Sequence, residues 1–456
     1  MTIATGWTKT ALATAAILAA GFVATLAINW PGHLSYDSIL QLHQGRVGLY
    51  NNWHPPVMAW LMGLFDAVVP GAGLFVAFDA VLAFGALTAL ILLPPARGGW
   101  STVFVALAIV LSPHLLLYQG LVWKDVLFAD SAVAGFACLA QAAANWAQLQ
   151  RRLGWSAGGF LLLSLAALTR QNGVVLLPFA AAGLGWVAAK AGMNRIRAAS
   201  LGAGFLAGAL AFVIGVSALL NLRSDGNEGP QGQLLLLQVY DLAGATARES
   251  GLPMAALDDD DPGLEHLIRT EGVRLYTPVR NDPLASSPRI AAALNDADPD
   301  VVGAQWKALI LEHPWLYLRV RAAAFWWVFA TPDIAACRPV FTGIEGPEKE
   351  MGEMGIAPRR DARDRALDRY GKAFFGTPVW SHIAFGLLAL VCLVLLLLRR
   401  RPEDLALAAM LGGAFAFAAS FFAISIACDY RYLYVLDLSA LAALLYLVRE
   451  PFRRAA

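Results

Sequence analysis

The sequence predicts an α-helical polytopic membrane protein of about ten transmembrane helices, with an extracytoplasmic first loop and a mixed extracytoplasmic segment before the last three spans. Three observations lead there. Of 456 residues, 58% are hydrophobic and 15% charged, with a mean hydropathy of +0.57, more apolar side chain than a soluble chain of this length can bury. Apolar runs long enough to cross a bilayer recur along the chain, and Lys and Arg fall between them in an alternating pattern. The 14 tryptophans and 11 tyrosines suit aromatic belts at membrane interfaces.

The first run, 11–29, could serve as a signal peptide or as a span. It exceeds the usual h-region of about 7 to 15 residues and ends in Trp30 rather than a small-residue cleavage site, so the span is expected. Further spans are expected at 72–95, 101–118, 121–147, 156–169, 173–189, 198–220, 379–398, 404–427 and 433–448. With the N-terminus cytoplasmic, the inner connections hold Arg97; Arg151 and Arg152; Lys190, Arg195 and Arg197; Arg399, Arg400 and Arg401; and Arg449, Arg453 and Arg454. Every inner connection is then basic, as the positive-inside rule requires of a multi-pass inner (plasma) membrane protein. Two apolar stretches do not cross in this scheme: 56–69 is too short, and 314–330 carries Arg319 and Arg321, so both are expected as amphipathic interfacial helices.

The chain thus divides into a module of seven spans (1–220, including a first outer loop at 30–70), an extracytoplasmic segment (221–378) and three closing spans (379–456). In the segment, "SDGNEGPQG" at 224–232 reads as a flexible exit and "DDDDPG" at 258–263 as a solvated acidic turn lacking EF-hand spacing. A net charge of +1 and the absence of basic runs interleaved with aromatics exclude a nucleic-acid partner. The four cysteines show neither CxxC nor metal-ligand spacing. Cys337 and Cys428 both fall near the outer face, where a disulfide could form, but unpaired thiols are expected.

Polar chemistry gathers where the charge rule would not put it. Lys124 and Asp125 in "LVWKDVLFAD", Arg170 and Asn172 in "LTRQNG", and Asp429, Arg431 and Tyr432 in "CDYRYLYVLDL" all fall at outer span ends. Three cations at one level suggest an anionic ligand, and a lipid phosphate or pyrophosphate is the natural one. Each also has a plain structural reading: Lys124 snorkelling, Arg170 capping broken backbone, Arg431 bridging to Asp429 or Asp437. His114 reads as a satisfied span-end histidine, and Asp79 and Asp130 as interhelical hydrogen bonders. The first loop, "SYDSILQLHQGRVGLYNNWHPP", adds a candidate base. On a short helix Asp37, Gln41 and Gln44 share a face, beside Tyr36 and His43, and Trp53, His54, Pro55 and Pro56 close the loop. Asp37 could deprotonate an acceptor or hold a divalent metal.

The first-loop acid, the "HPP" before a short helix, the "KD" at a span mouth, "LTRQNG", "RYLYVLDL", "VYDLAG" at 239–244 and "EHPWLYLRVRA" at 312–322 together resemble the GT-C superfamily of integral membrane glycosyltransferases, in particular bacterial relatives of protein mannosyltransferases and aminoarabinose transferases. The resemblance spans almost the whole chain. It implies transfer of a sugar from a polyprenyl-phosphate-linked donor to a glycan, lipid or protein acceptor at the extracytoplasmic face. By it, Asp37 would be the base and Asp125 the second acidic position. Lys124, Arg170 and Arg431 would bind phosphate, and Tyr36, Gln41, His54, Asn172 and Tyr432 would line the substrate. Many relatives carry two adjacent acids in the first loop, whereas Ser38 follows Asp37 here, which favours a lone base with inversion at the anomeric carbon. The rival reading is a transporter or flippase of a lipid-linked sugar, which should place polar groups at mid-membrane in several spans.

Overall fold

The computed structural model describes residues 8–94, 98–224 and 228–450; the inner-loop residues Arg97, Arg453 and Arg454 lie outside them. Among the described residues nine helices are long and apolar enough to cross a membrane, or ten spans when the bent pair Trp100–Val110 and Pro113–Gly120 is counted as one. In chain order these are Lys9–Asn29, Gly73–Ile91, the bent pair, Lys124–Ala144, Leu149–Thr169, Gln171–Lys190, Arg195–Asn221, His382–Arg399, Pro402–Ile424 and Tyr430–Val448. The expected count holds.

The third span is not the continuous helix expected over 101–118. Trp100–Val110 and Pro113–Gly120 meet at 54°, because Pro113 has no N–H to continue the ladder and Ser112 turns its hydroxyl back to the Ile109 carbonyl at 2.7 Å. The fourth span begins at Lys124 rather than 121. Residues 121 and 122 are instead extended, with Val122 N donating to the His33 carbonyl (3.1 Å) and His33 N to that of Gly120 (2.8 Å). Rich in Ala, the fourth span lies at the bundle centre, almost wholly buried against the second, fifth, sixth, ninth and tenth spans. Small residues allow that close approach.

The segment between the seventh and eighth spans is helical, and extended pairing in it is limited to isolated bridges among the described residues. It has a core of its own, built on Leu236, Val239, Leu242, Leu257, Val302 and Leu309. Two expectations fail here. The exit read as flexible is helix from Glu228, running to Thr246. The helix Pro314–Ala330 turns Arg321 inward, fully buried and 3.3 Å from Asp241, with its guanidinium donating to the Ala423 and Ser425 carbonyls. Arg321 thus makes the helix a strut onto the ninth span, while Arg319 stays exposed as expected. The "VYDLAG" and "EHPWLYLRVRA" stretches meet in this one ion pair, with Trp306 Nε1 also donating to Asp241 (2.9 Å). Burial pushes the Asp241 carboxyl up to about 6 against the pull of Arg321.

Cys337 and Cys428 form a disulfide, correcting the expectation of free thiols. The bond joins the long segment to the loop between the ninth and tenth spans, a link between residues 91 apart that spacing could not reveal.

The first loop folds as a helical hairpin, Tyr36–Val47 on Val57–Asp66. The helices cross at two glycines: a Cβ on Gly45 would stand 2.1 Å from the Ala59 carbonyl oxygen, and one on Gly63 2.2 Å from that of Gly45. Arg46 clasps Asp66 in a two-point pair, its Nε and Nη2 donating to the two carboxylate oxygens (2.8 and 2.6 Å). Gly45→Val is therefore expected to lower thermal stability in detergent by about 1–3 kcal/mol through overpacking. Gly85→Ala, where an added Cβ meets nothing within 4 Å, should leave the melting temperature unchanged or slightly higher. Equal behaviour of the two variants would refute the crossing.

Candidate functional site

The backbone at 33–38 sets the site. Leu34 is bonded to the 343–345 stretch, His33 to 120–122, and Ser38 donates its hydroxyl to the Val122 carbonyl at 2.6 Å. Trp123 Nε1 donates to Ser35 at 3.0 Å. These bonds pin the start of the first-loop helix to the two residues before Lys124. They also explain why no second acid follows Asp37: Ser38 is fully buried against a carbonyl oxygen, where a carboxylate would be repelled.

Seven of the ten residues singled out in the sequence converge at this end of the bundle: Asp37, His54, Lys124, Asp125, Arg170, Arg431 and Tyr432. Such convergence requires the ends of odd-numbered spans and the starts of even-numbered ones to share a side, as ten alternating spans provide. Lys124 Nζ donates to His54 Nδ1 at 2.8 Å. Since an ammonium only donates, Nδ1 is the acceptor and the ring proton sits on Nε2, 3.8 Å from Asp37 Oδ1. Arg431 Nη2 binds Asp37 Oδ2 (3.0 Å) and Asp429 Oδ2 (3.4 Å), while its Nε lies 3.5 Å from Asp125. Arg170 forms a close ion pair with Asp125.

Aromatic faces complete the floor. Arg431 lies over Trp123 at 4.9 Å and Arg170 over Tyr432 and Phe421 at 5.2 Å each, where ring quadrupoles favour the buried cations. Burial would raise the Asp37 carboxyl, but facing His54 and Arg431 hold it well below the usual carboxylate range. Burial and the charge of Lys124 push His54 down to about 4, so its ring is neutral near pH 7.

Tyr36, Gln41 and Asn172 are not drawn into the cluster. Tyr36 is exposed beside Asp37, Gln41 is buried one turn on, and Asn172 donates to Ser420 on the ninth span (2.9 Å). Sequence reasoning missed Arg280, which reaches in from the long segment to Asp429 at 3.1 Å and to the Ala336 carbonyl at 2.9 Å. Nothing in the residues around it sets Arg280 apart from other solvated arginines.

The plain structural reading of Arg431 holds in part, since it does bridge to Asp429. Arg170 and Arg431 are already paired with carboxylates, and Lys124 has a neutral imidazole as its partner. The donor set does not fit a divalent metal as arranged: Arg431 stands among Asp37, Asp125 and Asp429, and no group of three metal-ligating side chains occurs among the described residues. Deeper in the bundle, the histidine expected to be satisfied at His114 is so on one side only: Nε2 lies 3.3 Å from the Tyr430 hydroxyl and 3.4 Å from Asp437, while the buried Nδ1 has no hydrogen-bond partner among the described residues. Asp130 accepts from Gln119 at 3.0 Å, while Asp79 Oδ1 is buried without a hydrogen-bond partner among the described residues.

No protein-family model matches this sequence, and no curated protein matches it. Among solved structures, the archaeal oligosaccharyltransferase AglB from Archaeoglobus fulgidus, in complex with an inhibitory peptide and a dolichol-phosphate, aligns over 95% of this chain with 15% identity and a TM-score of 0.39. The chain covers 50% of that protein.

Proposed function

We propose that this chain is a membrane glycosyltransferase that moves a sugar from a polyprenyl-phosphate-linked donor to an acceptor at the extracytoplasmic face, with Asp37 as base. The observation that carries the reading is the meeting, at one end of the bundle, of a partly exposed carboxylate with Lys124, Arg170 and Arg431, each from a different span end. The exposure of the three acids separates their roles. Asp37 is 34% exposed, Asp429 16% and Asp125 1%. Asp37 is the one an acceptor hydroxyl or amine can reach, and Asp125 serves to hold Arg170 and Arg431.

In the reaction, the acceptor oxygen or nitrogen attacks the anomeric carbon while its proton passes to Asp37. The bond to the lipid phosphate breaks, and the configuration inverts. Lys124 and Arg431 stabilise the departing phosphate, so electrostatics contribute more than general-acid help. On this reading the N-terminus lies in the cytoplasm and the site outside. This is supported by the basic connections at the opposite end of the bundle and by a disulfide at the site end, since such bonds persist in oxidising compartments.

A second reading, transport of a lipid-linked sugar, is favoured by Asp79 and Asp130, buried within the second and fourth spans. Each is the seventh residue of its span counted from the site end, about 9 Å deep at the rise of a helix, in the same half of the bundle as the cluster. Deletion of the gene should make a lipid-linked sugar accumulate in extracted lipids, as mass spectrometry would show; an unchanged lipid profile would argue against the assignment. Lys124→Ala should raise the KM for donor about tenfold or more, because a hydrogen bond to a charged group is worth roughly 1.5–3 kcal/mol. Donor dependence equal to wild type would remove Lys124 from the site.

A further inference from the structure

The three carboxylates around Arg431 are not held alike. Asp125 has a second arginine in Arg170, and Asp429 has one in Arg280. Asp37 has none among the described residues: its other near neighbour is His54, neutral and 3.8 Å away. The remaining charged or titratable groups near it are Lys124, engaged with His54, and Tyr432, next to Arg431 in the chain. If Arg431 were drawn aside, Asp125 and Asp429 would stay paired and Asp37 alone would be left free.

Lys124 is the counterpart of this asymmetry. Its Nζ is bonded to an uncharged ring, so an incoming phosphate can take it without breaking an ion pair. Arg431 is next to meet that phosphate, whose oxygens match the guanidinium fork. We propose, resting on the glycosyltransferase reading above, that a phosphate headgroup bound at Lys124 and Arg431 draws Arg431 off Asp37, arming the base only when the donor is in place. Before binding, Arg431 keeps Asp37 a weak base. Afterwards the carboxylate has lost a cation and gained an anionic neighbour, and both changes raise its affinity for a proton. An acceptor arriving first meets an inactive site.

Linkage makes the coupling measurable in either direction: if phosphate raises the proton affinity of Asp37, loss of the Asp37 charge must strengthen phosphate binding by the same factor. The probe is dodecyl phosphate, titrated against the purified full-length protein. Asp37→Asn is expected to bind it about tenfold more tightly than wild type at neutral pH, a typical coupling, and to lose the part of the tightening that wild type shows as pH falls. Asp429→Asn, which removes a charge at a similar distance from Arg431, should change affinity far less, because Asp429 keeps Arg280. Equal tightening in both variants, or none in Asp37→Asn, would overturn the arming while leaving a phosphate site. No binding to wild type would overturn both the arming and the reading beneath it. Wild-type kinetics give a check that needs no variant: the acid limb should lie at higher pH in kcat than in kcat/KM for donor, and coincident limbs would contradict the proposal.

Discussion

Asp37→Asn is expected to lower sugar transfer by about 10²–10⁴-fold, the worth of a positioned general base, while the protein still inserts and folds. The side chain is partly exposed and its backbone is pinned by neighbours: Ser38 to Val122, and Leu34 to the 343–345 stretch. An isosteric amide keeps that scaffold, so the loss should fall on kcat and not on yield or melting temperature. Transfer at the wild-type rate, measured with purified lipid-linked sugar, would take Asp37 out of the mechanism.

Asp125→Ala should act mainly on stability. Asp125 is 1% exposed and Arg170 8%, so removing the carboxylate strands a guanidinium that water cannot reach. Breaking a buried pair in this way costs about 3–5 kcal/mol, enough to cut the yield of folded protein sharply. Replacing both partners by apolar residues is often far less costly, so Asp125→Leu with Arg170→Met should recover much of the melting temperature and none of the transfer. If the single variant melts like wild type, the pair does not hold this part of the bundle. If the double variant transfers sugar, Arg170 has no part in the site.

The spans were legible in the sequence because a bilayer demands about 20 apolar residues in a row, and charges at the wrong end of a span stand out against that background. That is how Asp37, Lys124, Asp125, Arg170 and Arg431 could be named from one chain. Their partners were not legible. Arg280 lies about 150 residues from Asp429, in a segment with many solvated arginines. Asp241 is the reason Arg321 can sit fully buried, and without it the helix reads as interfacial. Pro113 signalled the break in the third span, but a run of apolar residues on both sides masks a 54° bend. Charge position alone left open whether the cations were paired or free. A sequence shows that an arginine is near the membrane surface; it does not show that the carboxylates around it come from the first loop and the fourth span.

The central claim is glycosyl transfer at this cluster, and purified protein in liposomes carrying a polyprenyl-phosphate-linked sugar, with acceptor supplied outside, tests it most directly. The account predicts polyprenyl phosphate and glycosylated acceptor in equal amounts, the new bond of opposite anomeric configuration to the donor, and both products lowered about a hundredfold or more with Asp37→Asn. Donor that crosses between leaflets with its sugar–phosphate bond intact, at the same rate in both proteins, would contradict it.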